Sequence, residues 1–476
     1  MGISNHTRSR AGAARRRLPA ALLIAAIPTF LPFADLSAQE TGTRTATVHE
    51  PIALTLETYR LPNGLNVILS PDSTVPIVAV NIWYHVGSAN EQPGKTGFAH
   101  LFEHLMFQGS ENVGNDGHFR YIQEAGGTLN GSTSPDRTNY FEAVPSNFLE
   151  LALWLESDRM GFFAPALTQE KLDNQRDVVK NERRQSYENV PYGLASETIL
   201  AELYPPGHPY RHPTIGSMDD LSASSLEDAQ AFFSRYYTPA NASLTIVGDF
   251  DTAEAKRLVS RYFGPLPTTP PVERPTAEAI TLDSTNYLLL EDRVQLPRLY
   301  ITWPTPAFFE EGDADLDVIG HVLAGGRTSR LYRRLVYEDQ LAQSVSARQS
   351  SLMLGSRFQI IVQPQPGVAL DQVEEIVEEE LERLKREGPT QREVQQAVNN
   401  IEAGFVRGLQ LRQDIADRLN GYQFWTGTPA YFDEDILRYR QVTQESVRQT
   451  ASRLLGPGRI VLSVVPTGQP ELQATP

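Results

Sequence analysis

Beyond residue 53 the apolar positions switch repeatedly between a period of two and a period of 3.6, the mark of strands interleaved with helices. Period-two and continuous apolar runs predict strands over 54–60, 65–70 and 77–85, the first two joined by a turn at Pro62-Asn63-Gly64. A helical stripe follows over 97–108. A shorter helix near 117–125 stops at Gly126-Gly127, and strands are predicted over 128–133 and 138–144, joined through Ser134-Pro135-Asp136-Arg137. Helices are then expected at 146–160, capped by Ser146, and at 168–187, capped by Thr168. A helix over 224–236 leads into the strand Ser243 to Val247, and Asp251 caps a helix ending at Gly264.

The stretch Pro265-Leu266-Pro267-Thr268-Thr269-Pro270-Pro271, continuing to Pro275, is the densest in proline outside the amino end and marks a boundary. Beyond it the plan repeats. The helix leading into Phe107-Gln108-Gly109-Ser110 has a counterpart leading into Ala324-Gly325-Gly326, and Leu244 to Val247 has one in Ile460 to Ser463, both at an offset of 216 residues. Two elements in one register predict an α+β chain of two similar domains, 52–264 and 279–468, joined by a linker over 265–278.

The first 38 residues read differently. Arg8, Arg10, Arg15, Arg16 and Arg17 precede an apolar stretch from Leu18 to Phe33, and Leu36-Ser37-Ala38 offers small residues for cleavage. That order is a secretory signal, and the proline-broken stretch is shorter than the roughly 20 residues that span a bilayer. The expectation is an exported, periplasmic or secreted chain with no stable membrane insertion after cleavage. Its removal would take the net charge from -16 to -20. A surface so acidic repels phosphate backbones, so nucleic acid is not an expected partner. With no cysteine among 476 residues, disulfides and thiolate chemistry are excluded, and any metal must sit on His, Asp or Glu.

Candidate chemistry concentrates in Gly97 to Gly109, GFAHLFEHLMFQG. On a helix Phe98, Leu101, Phe102, Leu105 and Met106 cover one side, while His100, Glu103 and His104 fall within a sector of about 100° on the other, with Glu103 and His104 to either side of His100. Two imidazoles one turn apart can reach a single zinc ion, and Glu103 beside them can take a proton from water without being a ligand. This is the His-x-x-Glu-His order of inverted zinc peptidases. A solvated polar face is the alternative, weakened by how apolar the rest of the helix is. A catalytic zinc usually takes a third protein ligand. Glu182, separated from His104 by 77 residues, is the candidate; from the residues alone a surface acid beside Arg176, Arg183 and Arg184 remains open.

The chain resembles the pitrilysin, insulysin and mitochondrial processing peptidase family, in its short two-domain bacterial form, from about Leu54 to Val465. The likeness rests on HLFEHLMFQGS, RDVVKNE, GGTLNGSTSPDRTNYFEAV, HPYRHPTIG, YYTPANASLTIVGDF and LAGGRTSRLYRRL. It implies that His100, His104 and Glu182 bind one zinc ion per chain, that Glu103 is the base, and that Asn130 and Gly131 lie on an edge strand where an extended peptide substrate adds. It also implies half of a clamshell, completed as a homodimer or as a heterodimer with a related chain. Three departures stand out: Gln175 where the family often has Glu, Gly131 where it often has Ala, and Arg293 and Tyr300 only loosely matching an Arg and Tyr that complete some members' sites. In the second half His100, Glu103 and His104 fall on Leu316, Ile319 and Gly320, so one metal site per chain is expected, with His321 structural. An exported zinc endopeptidase is the favoured reading; an assisting, non-catalytic subunit or a periplasmic zinc-binding protein are the alternatives.

Overall fold

The computed structural model describes residues 54–475. The leader reading over residues 1–38 lies outside them. No helix among the described residues is long and apolar enough to cross a membrane.

The first half opens with strands β1 (Glu57–Arg60), β2 (Asn66–Pro71) and β3 (Ile77–Tyr84). The turn between β1 and β2 closes by Gly64 N–H donating to Leu61 O at 2.9 Å, with Gly64 at φ +96°, a backbone state that glycine adopts without strain. Then come α1 (Phe98–Leu105), α2 (Gly117–Glu124), β4 (Thr128–Thr133), β5 (Thr138–Pro145), α3 (Leu149–Phe162), α4 (Gln169–Arg183), α5 (Ala195–Leu203), α6 (Met218–Ala223), α7 (Leu226–Tyr236), β6 (Ala242–Gly248) and α8 (Thr252–Phe263). Thr168 and Asp251 cap α4 and α8 through the backbone N–H groups of Lys171 and Glu254. Ser146 does not cap a helix. The chain makes a short 3₁₀ turn over Ser146–Phe148, with Ser146 N–H donating to Pro76 O, and α3 begins at Leu149 with Phe148 in the N-cap position.

No helix or strand occupies the segment between Gly264 and Thr285. The second half runs β7 (Asn286–Asp292), β8 (Arg298–Thr305), α9 (Asp313–Ala324), β9 (Ala342–Ser350), β10 (Ser356–Pro364), α10 (Leu370–Glu387), α11 (Gln391–Gly408), α12 (Arg412–Thr426), α13 (Phe432–Arg440), α14 (Gln444–Leu454) and β11 (Ile460–Pro466). The first sheet has the order β1-β2-β6-β3-β5-β4 and the second β7-β11-β8-β10-β9. Both contain one parallel pair, β2 with β6 and β7 with β11, among antiparallel neighbours. The architecture is α+β, with two mixed sheets of one plan, each packed with helices.

Each half lends a helix to the other. Ala195, Ile199, Leu200 and Leu203 of α5 pack with Tyr300, Ile460, Leu462 and Val464 of the second sheet. In return Ile415, Ala416, Leu419 and Tyr422 of α12 pack with Ile68 and Val247 of the first. The exchange follows from apolar faces on both sides of the central strands, since β6 and β11 are buried at every position.

The two halves differ at the helix that matters. In α9, Gly320 lets the helix back directly onto β9: a Cβ there would lie 3.1 Å from Ala347 O. In the first half the equivalent space between α1 and β4 holds side chains.

Candidate metal centre

Helix α1 buries Phe98, Ala99, Leu101, Phe102 and Leu105, with the Phe102 ring stacked on Phe232 of α7 at 5.2 Å. That apolar face turns His100, Glu103 and His104 toward α4 and β4. The helix starts at Gly97, whose φ is +90° and which has no room for a side chain: a Cβ would sit 2.7 Å from Ile215 O. No side chain caps it from the N-cap position. Instead the buried carboxylate of Glu91 accepts from Gly97 N at 2.9 Å and Ala99 N at 2.7 Å, satisfying donors that a helix start leaves free.

Glu182 arrives on the last turn of α4. Its neighbour Arg183, buried, donates to Gly216 O and to Glu197 Oε2, both at 2.8 Å, and so ties α4 to the loop that closes over Gly97. The arginines that could have claimed Glu182 are engaged elsewhere: Arg176 donates to Ser224 O and pairs with Asp173, and Arg184 donates to Asn181 Oδ1. Glu182 faces the imidazoles, with Oε2 3.2 Å from His104 Nε2 and Oε1 3.8 Å from His100 Nε2. The two rings are 4.8 Å apart, and one donor atom from each of the three residues lies within 4.8 Å of the others. Among the described residues this is the one such cluster.

The donor set fits zinc. Two imidazoles and a carboxylate are a known three-ligand combination for a site that keeps a position open. Burial, reinforced by the His104 ring, holds His100 down at about 4, so its imidazole is neutral at pH 7 with a lone pair to donate. His100 Nδ1 is buried without a hydrogen-bond partner. The hydrogen bond from His104 holds Glu182 below the usual carboxylate range.

Residues 66–208 match the family model described as insulinase, peptidase family M16, and residues 224–401 match that of the peptidase M16 inactive domain. The zinc protease PqqE of Helicobacter pylori is 30% identical over 374 residues, spanning 77% of this chain and 83% of that one. The chain belongs to peptidase family M16. An uncharacterised zinc protease of Bacillus subtilis, YmxG, is 24% identical over 416 residues and is covered to 99%. The crystal structure of a protease from Helicobacter pylori superposes with a TM-score of 0.81 at 27% identity, covering 87% of this chain and all of that one. The periplasmic protease PqqL of Escherichia coli shares the fold, with a TM-score of 0.73 at 18% identity and 48% of its length covered.

In this M16 chain Glu103 stands apart from the three donors. Thr133 Oγ1 on β4 donates to Glu103 Oε2 at 2.6 Å, and burial raises the carboxyl above its ordinary range. Gly131, two residues earlier on the same strand face, lies under it: a Cβ there would come within 3.1 Å of Glu103 Cγ and 3.2 Å of Phe107 Cε2. Asn130 points the other way and accepts from the Gly131 N–H at 2.9 Å. Gln175 is buried and donates to Asn174. Arg293 binds Glu188 O and Asn189 Oδ1, and Tyr300 is buried against α5 with its hydroxyl 3.4 Å from Arg298 Nη1; within this chain both are committed elsewhere. His321 is half-buried on α9, where burial lowers its pKa.

Sequence reasoning passed over Glu91 and Thr133. Thr133 had a usable signal, since residues 131 and 133 of a strand share a face. Glu91 had none, because its bond to the start of α1 depends on how a loop folds back.

Proposed function

We propose that this chain is an exported zinc metalloendopeptidase that hydrolyses peptides or unfolded polypeptide segments. The observation that carries the reading is the convergence of His100, His104 and Glu182 beside a Glu103 carboxylate that is not one of the three donors. The names of the zinc protease relatives support it.

His100, His104 and Glu182 would hold the ion. Zinc bound there would supply a Lewis acid that polarises the scissile carbonyl and acidifies water. Thr133 occupies Glu103 Oε2, which leaves Oε1 to accept a proton as water attacks and to return it to the leaving amine. Burial raises this carboxyl above its ordinary range, which strengthens it as the acceptor of the proton. Strand β4 ends its sheet, so its outer edge beside Asn130 and Gly131 can pair with an extended peptide main chain. Leu316, Ile319 and Gly320 offer no ligand in the second half, consistent with one ion per chain. Coverage of about half of PqqL supports work in a pair, as a homodimer or with a related chain. The Arg-rich and apolar order of residues 1–38, and the periplasmic description of PqqL, support export.

The test combines metal analysis with cleavage of an unstructured peptide. The purified chain should contain about one zinc, lose hydrolysis to a chelator and regain it on adding zinc. Glu103→Gln should keep the zinc and lose about 10²–10⁴-fold in hydrolysis, while His104→Ala should lose both. Full activity of Glu103→Gln would refute the assigned base.

A further inference from the structure

The half without metal residues reaches the site from behind. Helix α12 lies across the face of the first sheet opposite α1, and its Asp417 collects donors from two strands. Asp417 Oδ1 accepts from Trp83 Nε1 at 2.9 Å and Asn81 Nδ2 at 3.3 Å on β3, and from Asn139 Nδ2 at 3.1 Å on β5. Three donors on one carboxylate oxygen make a directional anchor, stronger than neutral bonds because the acceptor is charged.

From there the bonds continue to the edge. Asn139 Oδ1 accepts from Ser132 Oγ at 2.7 Å, and Ser132 pairs with Asn139 across the ladder between β4 and β5. Arg137 Nη1 donates to Ser132 Oγ at 2.7 Å and to Ser132 O at 2.8 Å, while its guanidinium lies over the Trp83 ring at 5.1 Å and faces the charges of Asp417 and Glu103. The residue after Ser132 is Thr133, whose hydroxyl holds Glu103. An unbroken series therefore runs Asp417, Asn139, Ser132, Thr133, Glu103. It passes through the one strand of the first sheet, β4, that is unpaired on its outer side beside α1 and is thus freest to shift or twist.

We propose that Asp417 is a positioning residue for the reaction at Glu103, holding β4 from its far face so that Thr133 presents the carboxylate in one orientation. This rests on the peptidase reading above. It gives the metal-free half a task inside the catalytic machinery of the same chain. Asp417, in the amino-terminal half of α12, and Ser132 and Thr133, at the end of β4, are far apart in sequence, so the link exists only because α12 is lent to the first sheet.

The experiment uses the full chain in two states. With zinc bound, Asp417→Ala should keep the zinc content and lower kcat for an unstructured peptide at least tenfold. Asp417→Asn, whose carboxamide oxygen still accepts from Trp83 and Asn139, should recover most of that loss. Ser132→Ala should reproduce the loss, and the double variant should be no slower than the slower single one, as expected for members of one series. Without zinc, hydrogen–deuterium exchange of the peptide covering 128–133 should be at least tenfold faster in Asp417→Ala, with α3 and α8 unchanged. Unaltered kcat and unaltered β4 exchange would overturn the proposal, as would a uniform rise in exchange across the chain, which marks a merely structural residue. If Asp417→Ala does not fold, Ser132→Ala on the exposed edge decides by the same two readouts. A wild-type chain with no zinc-dependent hydrolysis overturns the peptidase reading and the kinetic arm with it, whereas the exchange arm reports on the β4 anchor independently.

Discussion

Replacing Arg159 by Leu should expose how the floor of the site is held. Arg159 on α3 pairs with Glu156 at 3.0 Å, the two side chains being 2% and 1% exposed. Its guanidinium lies 4.2 Å over the Tyr140 ring and 4.8 Å over Phe107, and Phe107 is the ring beneath Gly131. Glu142 on β5 faces Glu156; burial raises both carboxyls, and the charge of Glu156 raises Glu142 further. On the premise that the two share one proton, the buried group is neutral as a whole: one acid, one carboxylate, one cation. Arg159→Leu removes the cation, and the carboxylate must then take a proton. For a carboxyl of ordinary pKa near 4.5, protonation at about pH 7.5 costs about 4 kcal/mol, in line with the roughly 3–5 kcal/mol of a buried pair broken on one side. Two lost ring contacts add about 1–2 kcal/mol in total. The expected loss is therefore about 5–6 kcal/mol at about pH 7.5. The sign with pH follows. A folded-state pKa raised above the unfolded one gives stability that is present at low pH and lost as pH rises, so the variant should lose about 1.4 kcal/mol per pH unit between about pH 5 and 7.5 relative to wild type. Adding Glu156→Gln should restore much of the stability and flatten that slope. Urea denaturation followed at several pH values provides the check. A variant whose midpoint tracks wild type at every pH, or a double variant no better than the single, would refute a neutral buried trio.

Three further outcomes are expected. Gly97→Ala should lower stability by about 2–4 kcal/mol and weaken zinc retention, because it combines a left-handed backbone with a contact to Ile215 O; thermal unfolding and metal analysis measure both effects. Asp317, whose carboxyl burial pushes up to about 7 and which accepts from Tyr439 at 2.8 Å, should cost stability progressively as pH rises from about 4 to 7; Asp317→Asn should remove that slope in a pH series of denaturation midpoints while keeping the bond. Gly320→Leu should destabilise the second half by about 1–3 kcal/mol, since the helix backs onto Ala347 O, and exchange of the β9 amides should rise; an unchanged rate there would show that α9 can move away freely.

Local periodicity made the interleaved strands and helices legible, together with the caps at Thr168 and Asp251 and the repeat between the halves, because each depends on neighbours within one element or on a fixed offset. The same spacing placed His100, Glu103 and His104 on one stripe, since positions three and four apart share a helix face whatever surrounds them. Ser146 shows the limit: a competent capping residue stands three positions ahead of Leu149, where α3 begins, because a 3₁₀ turn intervenes.

Tertiary packing decided the rest. Whether Glu182 met the imidazoles or stayed with Arg176, Arg183 and Arg184 turned on how those arginines were engaged, and Arg183 was drawn away to Gly216 and Glu197. Glu91 reached α1 by a loop closing back, Thr133 reached Glu103 by the register of an edge strand, and Asp417 reached β3 and β5 because the halves exchange helices. Residue order alone carries none of these, since the partners that satisfy a buried donor or charge are chosen by which surfaces meet, and surfaces meet only when the chain is folded.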